Sequence, residues 1–210
     1  MSDTAIIISG GGEVPAAVAD GLPTDAYVIA ADSGLDLAAA LGIRVDVVIG
    51  DLDSVSATVL EAAKRRGTRV RRHPVDKDAT DLELAMTHAR EKGVSSVIVI
   101  GGHGGRMDHF LANASLLAAQ TGLDVEWRTA TSRAHRVNGT LRLHGSPGEM
   151  ISLLAFGGPA KGVRTSGLRW PLHGEDLQPD GTRGMSNRFV EEQAEIVVAD
   201  GNLLVVLPER

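Results

Sequence analysis

The first 130 residues alternate between two hydrophobic periods. Short apolar runs read "AIIISG" (5–10), "AYVIAAD" (26–32), "DVVIGD" (46–51) and "SVIVIGG" (96–102), with more polar relatives in "TRVRRHP" (68–74) and "DVEWRTA" (124–130). Most are continuous and β-branched, as expected of strands buried on both faces. Between them the period lengthens to that of a helix. In "TDLELAMTHAREKG", Leu82, Ala85, Met86 and Ala89 fall at i, i+3, i+4 and i+7 and share one helical face. Thr80 and Glu83 form a capping box there, and Gly93 is the stop. In "DHFLANASLLAAQTG", Phe110, Leu111, Ala114, Leu117 and Ala118 lie on one stripe, with Asp108 as N-cap and Gly122 past the end. Strand–helix alternation at this pitch predicts a parallel α/β sheet.

From about residue 132 the helical period is lost. "TLRLHG", "MISLLAFG", "GVRTSGLRW", "AEIVVADG" and "NLLVVLP" read as short strands of an antiparallel β domain. Asp200-Gly201 between two of them is a hairpin signal. The Gly- and charge-rich "HGEDLQPDGTRGMSN" reads as a loop. The predicted organisation is an α/β domain over 1–131 and a small antiparallel β-sandwich domain over 132–210.

Composition narrows the classes. A chain of 210 residues with 43% hydrophobic content suits a soluble globular protein. "AIIIS" is too short for a signal peptide, and no run approaches the roughly 20 apolar residues of a membrane span. Cysteine is absent, which removes disulfides, thiolate metal sites and thiol nucleophiles. These features fit a cytoplasmic location. A net charge of −6 argues against a general affinity for nucleic acid or anionic membranes. The basic run Lys64, Arg65, Arg66, Arg69, Arg71 and Arg72 is better explained locally than as a polyanion patch. Lys64–Arg66 end a helix, where cations complement the dipole, and Arg69 and Arg71 alternate along the next strand on a solvated face. With 3% aromatic residues there is no stacking platform for single strands.

Candidate chemistry gathers at one place. Ligands of open parallel sheets bind outside the carboxyl ends of the strands. Those ends carry Asp32-Ser33-Gly34, then Asp51 and Asp53, then "PVDKDATD" with Asp76, Lys77, Asp78, Thr80 and Asp81, then "GGHGGRMDH" with Arg106 and Asp108. Taken singly, Asp81 and Asp108 read as helix caps and the Asp51/Asp53 pair as a solvated loop. Together they crowd carboxylates on one rim, which repel unless a cation is present. Oxygen-only donors suit Mg²⁺. A Gly-rich loop before a helix offers N–H groups to phosphate, and Arg106 adds a charged fork. Mg²⁺ with phosphates implies a nucleoside triphosphate or similar ligand. "SGGGEVP" lacks the third glycine of a dinucleotide fingerprint, and no Walker A loop, zinc helix or G-x-S-x-G elbow is present.

The motifs "AADSG", "GDLDS", "DKDATDLELA", "GGRMDHFLAN", "TSGLRWPL" and "MSN", in this order, resemble the thiamine pyrophosphokinase family from about residue 5 to the end. The resemblance implies a homodimer of an α/β nucleotide-binding domain and a β-sandwich domain. It implies transfer of the pyrophosphoryl group of ATP to the hydroxyl of thiamine, with Mg²⁺ and release of AMP. By position, Asp51, Asp53 and Asp81 look like the Mg²⁺–triphosphate carboxylates, and Asp32 resembles a further acidic position. Lys77, Thr80 and Arg106 would contact ATP, with Asp108 beside them; Asp108 or Asp81 would accept the hydroxyl proton. Trp170 resembles the aromatic that stacks on thiamine at the subunit interface, although on its own it reads as a core or edge tryptophan. Ser186 and Asn187 match positions near the thiamine pyrimidine. Leu52 stands where the family has a bulkier residue, and the loop before "MSN" is a little long. A non-catalytic thiamine or nucleotide sensor and a metal-dependent phosphohydrolase are the rival functions.

Overall fold

The computed structural model describes residues 2–209. The chain divides into two compact units. The first comprises the residues up to Asn113 with Trp127–Ala130, and the second Ala114–Glu126 with the chain from Thr131 on.

The first unit holds β1 (Thr4–Ser9), β2 (Tyr27–Ala31), β3 (Val47–Gly50), β4 (Arg69–Arg72) and β5 (Ser96–Gly101). They are parallel and lie in the order β5-β1-β2-β3-β4. Between them run α1 (Gly34–Ala40), α2 (Ala57–Arg65) and α3 (Asp81–Glu91). α4 (Met107–Ala118) follows β5, and its residues up to Asn113 count with this unit. The apolar strand runs are buried as their pattern predicts, and Ile6, Ile8, Val48 and Ile100 pack with Leu35, Leu52 and Leu60 in one core cluster. The order places a switch between β1 and β5, because the chain returns across the sheet after β4. A ligand crevice is expected at that point.

α3 follows its pattern: Leu82, Ala85, Met86 and Ala89 are buried. Thr80 Oγ1 accepts from the Glu83 N–H at 3.2 Å, which supplies one half of the capping box. Two expectations need correction. Asp108 lies inside the first turn of α4, not at its N-cap. Phe110 and Leu111 are 40% and 57% exposed, not part of a buried stripe. The amide of buried Asn113, donating to Gly102 O at 2.8 Å, anchors this part of α4. β4 is also more open than alternation predicted: as the edge strand, all four of its residues are exposed.

β6 (Asp124–Arg128) belongs in part to each unit. The second unit then forms β7 (Ser132–Arg136), β8 (Thr140–His144), β9 (Met150–Ala155), β10 (Ala160–Ser166), β11 (His173–Leu177), β12 (Asn187–Arg188), β13 (Gln193–Val197) and β14 (Leu203–Pro208). Antiparallel pairing gives the order β12-β9-β14-β7 in one layer and β11-β10-β13-β8 in the other. Val137, Ile151, Leu153, Val163, Phe189, Ile196, Leu203 and Val205 form its core.

Three details differ from the sequence pattern. Asp200-Gly201 does not close a hairpin: β13 pairs with β8 and β10, and β14 with β7 and β9. The turn carries the chain from one layer to the other, held by Lys161 N–H to Asp200 O at 2.7 Å. "GVRTSGLRW" stops as a strand at Ser166, because Gly167 has φ +72° and a Cβ there would lie 2.0 Å from Gln193 O. The stretch read as a loop contains β11 and ends on the first residue of β12. β11 is a polar edge strand, so it has no hydrophobic alternation to betray it.

Candidate active site

In the first unit the carboxyl ends of the strands open into a cavity of about 640 Å³. Asp32, Asp51, Asp53, Lys77, Thr80, Asp81 and Arg106 all line it. Backbone geometry explains how. Asp32 takes φ +44°, and its N–H bonds Ile49 O at 2.8 Å, which fixes the end of β2 against β3. Gly50 takes φ +151°, and a Cβ on it would sit 3.1 Å from both Asp32 Cβ and Asp81 Oδ1. The missing side chain is therefore the space into which two carboxylate residues pack. Leu52 has φ +63° and is buried in the core cluster, so the loop is pinned between its two acids.

The charges are unevenly satisfied. Oxygens of Asp32, Asp51 and Asp53 lie within 4.8 Å of one another. Asp51 accepts from Lys77 Nζ at 3.0 Å and from Asp53 N at 3.3 Å. The Lys77 bond, with help from the Asp53 N–H, holds the Asp51 carboxyl below its ordinary range. Asp81 Oδ1 contacts the same Lys77 Nζ at 2.9 Å. Burial would lower the Lys77 pKa, but its bonds to Asp81 and Asp51 outweigh it and raise the ammonium above its usual range. Asp32 is 9% exposed, and its Oδ1 is buried without a hydrogen-bond partner. Burial pushes the Asp32 carboxyl upward, a bond from the Ser33 backbone opposes this, and the Asp81, Asp51 and Asp53 charges add to the rise.

Three clustered carboxylates, one with an orphaned buried oxygen, fit a hard divalent cation with oxygen ligands such as Mg²⁺. Asp81 faces Lys77 as an ion pair, and its Oδ1 is likewise buried without a well-directed hydrogen bond.

The opposite wall is glycine. Gly102, Gly104 and Gly105 line the cavity with φ between +64° and +77°. Gly10 and Gly11 meet them from the end of β1. A Cβ on Gly10 would lie 2.0 Å from Ser33 Oγ, and one on Gly11 2.4 Å from His103 O. The two loops flank the switch between β1 and β5. Arg106 also lines the cavity, but its guanidinium grips Asp108 through Nε to Oδ1 at 3.1 Å and Nη2 to Oδ2 at 2.5 Å. That grip pulls the Asp108 carboxyl down to about 2, and Asp108 is not on the cavity wall.

The second unit has its own cavity, of about 400 Å³, lined among others by Trp170, Arg183, Met185, Ser186 and Asn187. Trp170 is 44% exposed, with the Arg169 guanidinium 5.1 Å from its ring centroid. Asn187 is buried. Its Oδ1 accepts from Trp170 N at 3.1 Å and Arg188 N at 2.9 Å, and its Nδ2 donates to Trp170 O at 2.8 Å. Asn187 thus clamps the tryptophan backbone. Ser186 takes φ +55°, and its N–H bonds Ser152 Oγ at 3.0 Å.

Comparison with known proteins gives this geometry a context. Residues 20–126 match the family model described as "Thiamin pyrophosphokinase, catalytic domain", and residues 135–203 match "Thiamin pyrophosphokinase, vitamin B1 binding domain". The chain belongs to the thiamin pyrophosphokinase family. Thiamine pyrophosphokinase 2 of Arabidopsis thaliana is 28% identical over 172 residues, covering 76% of this chain and 63% of the relative. Thiamine pyrophosphokinase 1 of Oryza sativa subsp. japonica is 25% identical, with 64% of its length covered. The chain therefore spans less than two thirds of these plant relatives. Thiamine pyrophosphokinase of Bacillus subtilis is 25% identical over 188 residues, 85% of each chain. Its crystal structure superposes with a TM-score of 0.85 at 22% identity, covering 99% of both chains. Yeast thiamin pyrophosphokinase gives 0.77 at 17% identity, covering 98% of this chain and 86% of that one.

Asp32, Asp51, Asp53, Lys77, Thr80, Asp81 and Arg106 fall within the stretch matching the thiamin pyrophosphokinase catalytic model, Gly10 and Gly11 precede it, and Trp170, Ser186 and Asn187 fall within that matching the vitamin B1 binding model. Sequence reasoning missed Gly10 and Gly11, set aside for lacking a dinucleotide fingerprint. Three glycines in succession at the end of the first strand were the available signal. Ser33, Ser54, His109 and Asn113 also line the cavity; each sits inside a quoted motif but was given no role there.

Proposed function

We propose that the chain catalyses transfer of the pyrophosphoryl group of ATP to the hydroxyl of thiamine, giving thiamine diphosphate and AMP. The observation that carries this reading is the Asp32–Asp51–Asp53 cluster facing glycine loops across one cavity, inside the catalytic-domain match. We place Mg²⁺ on Asp32, Asp51 and Asp53, where it would supply charge neutralisation for the phosphates. Lys77 holds Asp51 and Asp81 in place and offers an ammonium to phosphate oxygens. The N–H groups of the two glycine loops and the Arg106 fork orient the triphosphate. Transfer forms a bond from the thiamine oxygen to the β-phosphorus and breaks the bond to the bridging oxygen, which leaves on AMP with the electron pair. Of the two carboxylates considered for the hydroxyl proton, Asp81 lines the cavity and Asp108 does not, so Asp81 takes that role here.

Thiamine is assigned to the second cavity. Its cationic thiazolium suits the face of Trp170, and Asn187 keeps that ring in position. The same reading includes a homodimer with Trp170 at the subunit interface. Exposed Trp170, Met185 and Val190 at 44%, 43% and 49% support it. It also includes a cytoplasmic location; among the described residues no helix is long and apolar enough to cross a membrane. Solution mass measurement checks the dimer.

The rival functions, sensor and phosphohydrolase, find no support in the comparisons. Incubation with ATP, Mg²⁺ and thiamine should release AMP and thiamine diphosphate in equal amounts. No AMP would leave a sensor, and phosphate release without thiamine would leave a hydrolase.

A further inference from the structure

The acidic cavity lies at the carboxyl ends of the strands. A second, basic cavity of about 310 Å³ lies at their amino ends, lined by Tyr27, Val47, Arg69, Val70, Arg71, His88 and Lys92. Tyr27, Val47 and Arg69 are the first residues of β2, β3 and β4. Five residue steps at about 3.3 Å each place Tyr27 on the order of 15 Å from Asp32.

The groups around Tyr27 form a directed chain of donors. Arg71 Nη1 lies 2.8 Å from His88 Nδ1. Glu91 Oε2 also lies 3.3 Å from Nδ1, but Arg71 Nη1 is the nearer partner of both, at 2.8 and 3.2 Å; a guanidinium only donates, so Nδ1 is assigned as the acceptor and the ring proton to Nε2. Nε2 lies 3.3 Å from the Tyr27 hydroxyl and donates to it. Arg69 Nη2 donates to the same oxygen at 2.9 Å. The hydroxyl thus accepts twice, and its own proton has no acceptor among the described residues. Burial of His88 keeps it neutral, consistent with this tautomer. Burial also holds Tyr27 in its protonated form, above the ordinary range of a phenol.

Charge follows the same direction. Lys92 Nζ is 5.0 Å and Arg69 Cζ 5.9 Å from the Tyr27 ring centroid. Arg71 is paired with Glu91 at 3.2 Å, but no carboxylate pairs with Arg69 or Lys92 among the described residues. Asp46 is the other nearby acid, and its Oδ2 is engaged by Val28 N at 2.9 Å. Lys92 also complements the negative end of α3; Arg69, on an edge strand, has no such partner. A merely solvated basic face would turn its cations outward. Here a guanidinium and an ammonium converge on one ring, beside a free hydroxyl proton.

We propose that this cavity binds a phosphate group, as free phosphate or as a small phosphate monoester, held by the Tyr27 O–H, Arg69 and Lys92. The guanidinium supplies a forked donor, the ammonium a point charge and the tyrosine a neutral donor, the set a tetrahedral oxyanion accepts. The cavity exceeds the size of the ion alone and leaves room for the organic part of an ester. The site is separate from the proposed reaction and stands whether or not that activity is found.

Tyr27 is the only tyrosine in the chain, so ¹³C-tyrosine labelling gives a single NMR signal. Titration of the full chain with inorganic phosphate, and separately with ribose 5-phosphate, without Mg²⁺, should shift that signal saturably. Chloride at equal ionic strength should not. Arg69→Gln, at an exposed position, and Lys92→Gln, at a half-buried one, are both remote from the acidic cavity and should each weaken binding at least tenfold. Tighter binding of the ester assigns the site to a phosphorylated metabolite, and tighter binding of the ion to phosphate itself. A linear shift equal to that of chloride, or wild-type affinity in both variants, overturns the proposal. So does tighter binding of a single-stranded oligonucleotide through the same residues, which would make this a polymer-binding face.

Discussion

In the first unit a buried oxygen of Asp32 has no partner, and carboxylates stand within 4.8 Å of one another. In the second unit the polar side chain beneath the cavity, Asn187, is bonded to both the N–H and the C=O of Trp170. The contrast separates two ways of preparing for a ligand. On the proposed reading, the acidic cavity is left electrostatically incomplete, and a cation with a polyphosphate would relieve it. The tryptophan cavity is completed in advance, so that a flat ring finds a fixed face. On that reading one site would hold its ligand by charge that the protein cannot satisfy alone, and the other by shape that it already has.

The comparison can be broken most decisively at the acids. Asp51→Asn and Asp53→Asn should each lower thiamine-dependent AMP release by about a hundredfold or more, with near-normal melting; activity close to wild type in both would end the metal assignment. Gly50→Ala should come next. Its new Cβ would meet Asp32 and Asp81 at 3.1 Å with the backbone at φ +151°. A loss of about 1–3 kcal/mol of stability, measured by denaturant unfolding, should accompany a fall in turnover; wild-type values of both would mean the space is not needed. Asn187→Ala tests the preformed side. It leaves the Trp170 N–H and C=O without their partner, at about 1–3 kcal/mol. KM for thiamine should rise while KM for ATP stays constant, and an equal rise in both would contradict the division of labour.

The smallest effect has the opposite sign. Asp32 has a raised carboxyl pKa in the fold, so its ionised form is the destabilised one. That cost is absent below the ordinary carboxylate range, grows as pH rises through the folded value, and is complete at neutral pH. Asp32→Asn should therefore melt higher than wild type at pH 7, by about 2–4 °C for each kcal/mol relieved. The gain should vanish as the wild-type carboxyl is protonated at low pH, and turnover should fall. A gain independent of pH would trace it to packing instead of charge.

The legible parts of the sequence were those where burial imposes a period. β1, β2, β3 and β5 are continuous apolar runs, and α3 carries its stripe and half its capping box. The site acids were legible because they interrupt those runs at the strand ends. Where burial is one-sided or absent, the pattern failed. β7, "SRAHR", and β11, "HGEDL", are polar strands with no apolar alternation to read. Phe110 and Leu111 satisfied the helical period yet stay partly or largely exposed: Phe110 rests one face on the Trp127 ring, 5.4 Å between centroids, and Leu111 is 57% exposed. Nothing in the sequence says why Gly50 and Gly10 must be glycine. Their reason is steric, set by residues such as Asp81 and Ser33 that approach only in three dimensions.

The turn at Asp200-Gly201 joins neighbouring strands that belong to different layers, and this bears on how the chain emerges during synthesis. β8 must wait for β13, and β7 for β14. The β8 pairing needs the chain as far as Val197, and the β7–β14 pairing as far as Pro208. Such non-local pairing belongs to the slow end of folding, in the range of milliseconds to seconds. The second unit is thus the one whose exposed strand edges a growing chain must protect longest, and a truncation of the last strand should leave it unfolded.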